Sequence, residues 1–161
     1  MYRWIIPKRA EPPESIGRAA RGERIMNTEY FRYLQNNGAN LSSIRGYNSV
    51  IAGLKYEETH PTFPNYKNSN KRLTELIITN KGRTLTIYYS YDEPIAYLAL
   101  FQDGDETSTF GVAISENAWS NTTGRHINLI HADFSFQYNE REENDLFNVG
   151  LNDTIRDLIE V

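Results

Sequence analysis

The sequence predicts an α+β fold, a four- to five-stranded antiparallel β-meander with two to four short helices. From about Lys71 to Ser115, apolar and polar residues alternate with the period of two that a half-buried strand requires, and turn sequences interrupt the alternation. On either side of this stretch, apolar residues recur at helical spacing behind residues that favour helix N-termini. Together these patterns indicate one sheet with helices added before and after it.

Composition limits the class of protein. The chain of 161 residues is long enough for one continuous core, and its eleven Tyr, seven Phe and two Trp supply large buried areas. We therefore predict a single α+β domain over residues 26–161. The absence of Cys excludes disulfides, thiolate catalysis and cysteine zinc sites. No apolar run approaches the length of a membrane span or a signal peptide, so we expect a cytoplasmic protein without membrane contact.

Charge is distributed unevenly along the chain. Residues 1–25 contain three prolines and carry a net charge of +3, without helical or strand periodicity, which predicts a basic, disordered tail. The rest of the chain carries a net charge of −7. A compact domain with that excess repels polyanions, so nucleic-acid binding is an alternative that the charge does not favour.

The segment before the meander predicts helices and a loop. Thr28 is a suitable N-cap for a helix of about two turns that ends at residues 36–38, where Gly38 suits a left-handed C-cap. A second helical turn is predicted at residues 41–47. Two prolines and three asparagines within residues 57–70 predict a loop.

The meander contains the clearest signals. Two alternating runs, 75–78 and 84–89, flank the turn sequence Asn80-Lys81-Gly82-Arg83, which predicts a β-hairpin. The run from Ile95 to Phe101 is apolar at odd and even positions alike, as expected of a central strand covered on both faces.

Two further strands are predicted after this hairpin. The chain turns at residues 103–105, and Phe110, Val112 and Ile114 then form one face of a fourth strand. The alternating aromatics of residues 133–138 predict a fifth strand.

Helices are predicted around the fifth strand. Residues 122–131 form a helix that begins at Asn121 or Thr122. A last short helix begins at Asp153 or Thr154.

The most distinctive segment is 117–128, where the fourth strand gives way to a helix. It concentrates hydroxyls, a tryptophan, an arginine and a histidine at a helix N-terminus, where free N–H groups favour anions. The local alternative is a set of ordinary capping residues, with the tryptophan in the core. The candidate binding residues are Trp119, Ser120, Thr122, Thr123, Arg125 and His126.

Other chemistry lacks support in the pattern. His126 and His131 are five residues apart, which turns them away from each other on a helix, so they do not form a metal pair. The acidic clusters fall in predicted turns or in a solvated loop at residues 140–145. No metal or cofactor is predicted. A small hydrolase that uses His126 with a carboxylate remains an alternative.

Two motifs resemble those of a small uncharacterised domain found in bacteriophage genomes. Its strand motif Tyr-x-x-x-Ile-Ala-Tyr matches residues Tyr91 to Tyr97, and its segment Ser-x-Thr-Thr-x-x-His matches Ser120 to His126. This chain departs from the pattern in its longer, more acidic hairpin at Gln102 to Thr109. The resemblance implies a viral accessory protein and brings no established activity.

These observations favour a non-enzymatic accessory protein that binds a host or viral macromolecule, with a protein as the expected partner. The first alternative is nucleic-acid binding through the basic tail and exposed aromatics. The second is the hydrolase. No oligomeric state is predicted.

Overall fold

Six strands form one sheet within the part of the chain that the computed structural model describes, residues 32, 34, 38–45 and 54–159. The strands are β1 (Lys55–Thr59), β2 (Leu73–Asn80), β3 (Arg83–Ser90), β4 (Glu93–Asp103), β5 (Glu106–Ser115) and β6 (Arg141–Glu142). Spatial order follows sequence order. Neighbours are antiparallel except β5 and β6, which pair in parallel over two residues. The α+β class is confirmed, with six strands instead of four to five.

The predicted hairpin is confirmed as β2 and β3. Lys81 and Gly82 connect them with φ angles of 49° and 80°. Two consecutive positive φ values are typical of the turn whose twist matches that of paired strands, and glycine adopts this conformation without strain.

Two helices cover opposite faces of the sheet, α1 (Asn121–His131) and α2 (Asn144–Ile159). On the first face, Ile127 and Ile130 of α1 pack against Ile95 and Ile114 of the central strands. The second core contains alternate residues of the same strands with the apolar side of α2. Its members from α2 are Phe147, Leu151, Ile155, Leu158 and Ile159. Strand β4 is therefore covered on both faces, as predicted.

The helix at 122–131 is confirmed, whereas the start of the last helix was predicted wrongly. Helix α2 begins at Asn144 rather than near Asp153. Its apolar residues continue backward at helical spacing to Phe147, but Gly150 and Asn152 interrupt the pattern. Tertiary contact with the sheet compensates for the poor helix propensity of glycine.

The predicted fifth strand at 133–138 is also wrong. This segment is a series of turns, in which Phe136 and Gln137 both donate their N–H groups to the carbonyl of Asp133. Only Phe136 is buried, while Phe134 and Tyr138 are 77% and 84% exposed. The Asp133 side chain accepts from the Ser135 N–H at 3.0 Å, so a turn competes with the extended conformation here.

Two predicted loops contain strands. Residues 57–59 belong to β1, which pairs with β2, and residues 141–142 form β6. Both strands are polar and lie at sheet edges, where one row of hydrogen bonds suffices and no apolar alternation is required.

The single face predicted for Phe110, Val112 and Ile114 is wrong at its first member. A bulge between Ala99 and Leu100 shifts the pairing with β5. Phe110 consequently packs against the α2 core, while the other two face α1.

The structure describes only some residues of the N-terminal part, so the predictions made there are tested only in places. Residues 1–25 lie outside the described residues, as does most of the helix from Thr28, although Arg32 and Leu34 are helical. Gly38 has a φ of 74°, as a left-handed C-cap requires, and residues 41–45 are helical. Among the described residues, no helix combines the length and the apolar character that crossing a membrane demands.

Glycine allows α2 to approach the sheet. A Cβ at Gly150 would collide with the phenol oxygen of the buried Tyr97. At Gly124 in α1, a Cβ would make ordinary contact with Ala118 at 3.5 Å.

We expect Gly150→Ala to lower the free energy of unfolding by about 1–3 kcal/mol, because overpacking outweighs the gain in helix propensity. Gly124→Ala is the matched control and should leave stability unchanged or raise it by up to about 1 kcal/mol. Urea denaturation measures both. Equal stability of the two variants would contradict the close packing of α2 on β4.

Candidate functional site

A buried histidine joins three separate parts of the chain. His126 of α1 is completely buried, and its two ring nitrogens contact hydroxyl groups from different elements. Nδ1 lies 2.7 Å from the Ser90 oxygen at the end of β3. Nε2 lies 2.5 Å from the Tyr66 oxygen in the loop between β1 and β2. No carboxylate occupies either position.

The contacts continue into the N-terminus of α1. The Ser90 oxygen lies 2.9 Å from that of Thr123, which accepts from Ser120 at 3.1 Å. Ser120 is also the N-cap and accepts from the Thr123 N–H at 3.1 Å. We call these five residues, Ser120, Thr123, Ser90, His126 and Tyr66, the hydroxyl–histidine network. Since it pairs every buried polar group it contains, it stabilises the junction of helix, sheet and loop.

The network uses a neutral imidazole. Burial, together with the nearby positive charges of Arg125 and Arg72, lowers the pKa of His126 to about 4. Burial raises the pKa of Tyr66, and the same two arginines oppose that rise. At neutral pH both rings are uncharged, and a neutral imidazole donates at one nitrogen and accepts at the other.

Tyr66 belongs to a loop that is ordered by its own hydrogen bonds. Its backbone exchanges two hydrogen bonds with Phe63. The buried Asn68 side chain donates to the carbonyls of Pro61 and Leu73 and accepts from the Leu73 N–H. The loop is therefore fixed both by Asn68 and by the network.

An exposed pair of aromatic rings lies beside this junction. Trp119 is 53% exposed, and its ring centroid lies 5.3 Å from that of Tyr91, which is 36% exposed. We call Tyr91 and Trp119 the aromatic pair. They border a cleft of about 490 Å³ that is also lined by Asp92, Glu93 and Asn117.

A second cleft, of about 380 Å³, lies between the loop and the first turns of α1. Its charged lining residues, within the described part of the chain, are Lys67, Arg72 and Arg125, and none of the described lining residues is acidic. We call it the basic cleft. Its other lining residues are Asn65, Tyr66, Asn68, Ser69, Asn70 and Thr122.

The two arginines stack on tyrosine rings. Arg125 lies over Tyr66 at 5.1 Å and donates to the Asn65 carbonyl at 3.0 Å. Arg72 lies over Tyr91 at 5.4 Å and donates to its phenol oxygen at 3.3 Å. Arg72 therefore connects the basic cleft to the aromatic pair.

The structure divides the six candidate residues into two sets. Trp119, Arg125 and the half-buried Thr122 contribute to the surface. Ser120, Thr123 and His126 form part of the network beneath it. The interpretation of the hydroxyls as helix-capping groups therefore holds for Ser120.

The sequence did not indicate that five further residues belong to this site, namely Tyr66, Lys67, Arg72, Ser90 and Tyr91. Tyr66 and Arg72 lie about 50 residues before α1 in or beside a segment read only as loop, and nothing local indicates that it folds back onto the helix. In the structure, Asn65, Asn68 and Lys71 adopt positive φ angles of 65°, 53° and 53°. Asparagine tolerates this conformation better than most residues, so the asparagines of the segment are a local signal of tight turns, although they do not show what the loop contacts.

The remaining histidine of α1 is part of another contact. His131 accepts from Arg141 at 2.9 Å, and its other nitrogen lies 2.9 Å from the Asn139 carbonyl. This contact ties the end of α1 to β6. Among the described residues, no group of three or more His, Asp or Glu is arranged to hold a metal ion.

The fold and the site define a small α+β protein with a pre-ordered surface of aromatic and basic side chains. Residues 22–147 match the profile of a family of unknown function (DUF8033), and the chain belongs to that family. The expectation of an uncharacterised domain is thus confirmed. No curated protein and no solved structure matched the chain.

The low pKa of His126 predicts a pH dependence of stability. Between pH 6.5 and about 4 the unfolded chain takes up a proton at this residue while the folded chain does not, so stability falls as the pH falls. The loss is about 1.4 kcal/mol per pH unit and reaches about 3 kcal/mol at pH 4. Above pH 6.5 His126 is neutral in both the folded and the unfolded chain, so it causes no further change of stability with pH.

Urea denaturation at several pH values tests this with His126→Gln, whose stability should lack that part of the pH dependence. His60→Gln is the matched control, because it replaces an exposed histidine and leaves both contacts of His126 in place. The same slope in His126→Gln and in the wild type would show that His126 is not held neutral.

Proposed function

We propose that this protein is a non-enzymatic accessory protein, encoded by a bacteriophage, that binds a host or viral macromolecule in the cytoplasm of the host cell. The observation that carries the proposal is the exposed aromatic pair, which is held in place before any partner binds. Trp119 immediately precedes the N-cap of α1, and Tyr91 immediately follows Ser90 of the network. Large aromatic side chains with restricted motion are frequent energetic centres of binding surfaces.

The burial of His126 and Ser90 supports binding rather than hydrolysis. The hydrolase alternative requires His126 to meet both a carboxylate and a substrate. Its ring is buried and both of its nitrogens contact hydroxyls. Ser90, the hydroxyl at hydrogen-bond distance from Nδ1, is also completely buried, so it does not present a nucleophile to a substrate.

Nucleic acid is a second candidate ligand because of one observation. Arg72 joins the aromatic pair to the basic cleft, which gives this surface alternating cationic and aromatic groups. Such alternation is typical of surfaces that bind single strands.

We expect Trp119→Ala to reduce capture of the partner at least tenfold, since a central aromatic contributes about 2 kcal/mol or more to a binding surface. Affinity purification from infected cells, with and without nuclease, measures the capture. Tyr138→Ala is the matched control, because Tyr138 is an exposed aromatic beyond the other end of α1, and it should retain the partner. Equal capture by both variants would overturn the assignment of this surface.

A further inference from the structure

The basic cleft is an anomaly in an acidic protein. Three cationic side chains line it and no acidic residue does so among the residues that the structure describes, although the chain carries a net charge of −4. Like charges that converge on one cleft repel each other, and the repulsion is relieved when an anion enters.

Uncharged groups position the two arginines of the cleft. Arg125 and Arg72 donate to a backbone carbonyl and a phenol, both of which are uncharged. Within the described part of the chain, no carboxylate lies at ion-pair distance from either. Arg45 behaves differently, since it pairs with Glu58 at 2.8 Å. Stacking on Tyr66 and Tyr91 orients the two guanidinium groups without a counter-charge.

The positive charges of the cleft also influence the pKa values of the two groups beneath it, His126 and Tyr66. Arg125 and Arg72 both contribute to the low pKa of His126, and both favour the ionised form of Tyr66.

The surroundings of the cleft indicate which anion fits. The guanidinium carbon of Arg72 lies 5.4 Å from the ring centroid of Tyr91, which in turn lies 5.3 Å from the ring centroid of Trp119. Exposed rings offer their faces to bases, but only unpaired bases can lie on them. Asp92 and Glu93 line the other cleft beside the aromatic pair, and Asp92 also lies 3.8 Å from Arg45. The described lining residues of that cleft include no cation, so it suits phosphate less well than the basic cleft does. A backbone that follows the surface is therefore directed toward Arg72 and Arg125.

We propose that the basic cleft binds a phosphate group of a single-stranded nucleic acid, with the adjoining bases stacked on the aromatic pair. This inference rests on the proposed binding function and names its ligand. Arg125 and Arg72 contact the phosphate oxygens, for which planar guanidinium groups are suited. Lys67 adds a third positive charge at the rim.

Fluorescence anisotropy with a labelled oligothymidylate and oligouridylate tests the proposal. We expect saturable binding that weakens about tenfold in Arg72→Gln and in Arg125→Gln. The double substitution Arg72→Gln with Arg125→Gln should also reduce the slope of log K against log salt concentration by about 0.7, the value for one phosphate contact to a single strand, and each single substitution should reduce it by less. Trp119→Ala should weaken binding about tenfold without changing that slope. Arg125→Lys should keep the wild-type slope because it keeps the charge.

Lys55→Gln is the control for charge alone. It removes one positive charge from the opposite end of β1, and its affinity should stay within about twofold of the wild type. In Arg72→Gln and Arg125→Gln, the glutamine keeps a hydrogen-bond donor while it removes the charge. Circular dichroism checks that each variant is folded.

Three competitors complete the test. A duplex of the same sequence and a phosphoserine peptide should compete poorly, whereas a 5′-mononucleotide should compete better than inorganic phosphate. The proposal is overturned by undetectable binding, by affinities that do not respond to Arg72→Gln and Arg125→Gln, or by preference for the phosphopeptide or the duplex. A nuclease-resistant partner that depends on Trp119, without oligonucleotide binding, would leave the proposed function intact and refute this ligand.

Discussion

The neutral imidazole of His126 is the interaction on which the arrangement of the molecule depends. It joins the end of β3, the first turns of α1 and the loop before β2 through two hydroxyl contacts of 2.7 and 2.5 Å. A polar group inside a protein costs free energy unless it is paired, and here each partner comes from a different segment. Because the network has few alternative pairings, it fixes the relative position of the three segments. The exposed surface of the aromatic pair and the basic cleft lies above that junction.

Charge and burial act in the same direction on His126. Arg125 and Arg72 lie close enough to His126 to discourage its protonation, and burial discourages it more strongly. The arginines thereby help to preserve the neutral network that supports them. Their own charges remain available to the outside, since stacking on tyrosine rings orients a guanidinium group without neutralising it. A site of this kind suits binding better than proton transfer, because its histidine is hidden and its cations are exposed.

The sequence predicts those elements whose residues face one apolar side with a regular period. The hairpin of β2 and β3, the doubly covered β4 and the helix α1 all follow from local pattern. The failures have physical causes. Edge strands need no apolar alternation, and the bulge at Ala99 exchanges the faces of β5. Gly150 interrupts the helical pattern near the start of α2, because this position requires a residue small enough for close contact with Tyr97. The net charge of the chain also does not reveal that Lys67, Arg72 and Arg125 meet at one place. Of the site itself, the sequence predicts the segment from Trp119 to His126, but not the distant Tyr66, Ser90 and Tyr91 that contact it.

Amide hydrogen exchange of Ser90→Ala tests most directly whether the buried network holds the surface. Ser90 is completely buried, whereas Ser108 is exposed on β5, so Ser108→Ala is the matched control. The reporters are the amides of Phe63, Tyr66 and Leu73, which are hydrogen-bonded within the loop region. We expect Ser90→Ala to accelerate exchange of these amides and of the first turn of α1 well beyond the rest of the sheet, and Ser108→Ala to leave them unchanged. Uniform acceleration throughout the protein, or unchanged exchange in the loop, would show that the network does not hold the surface.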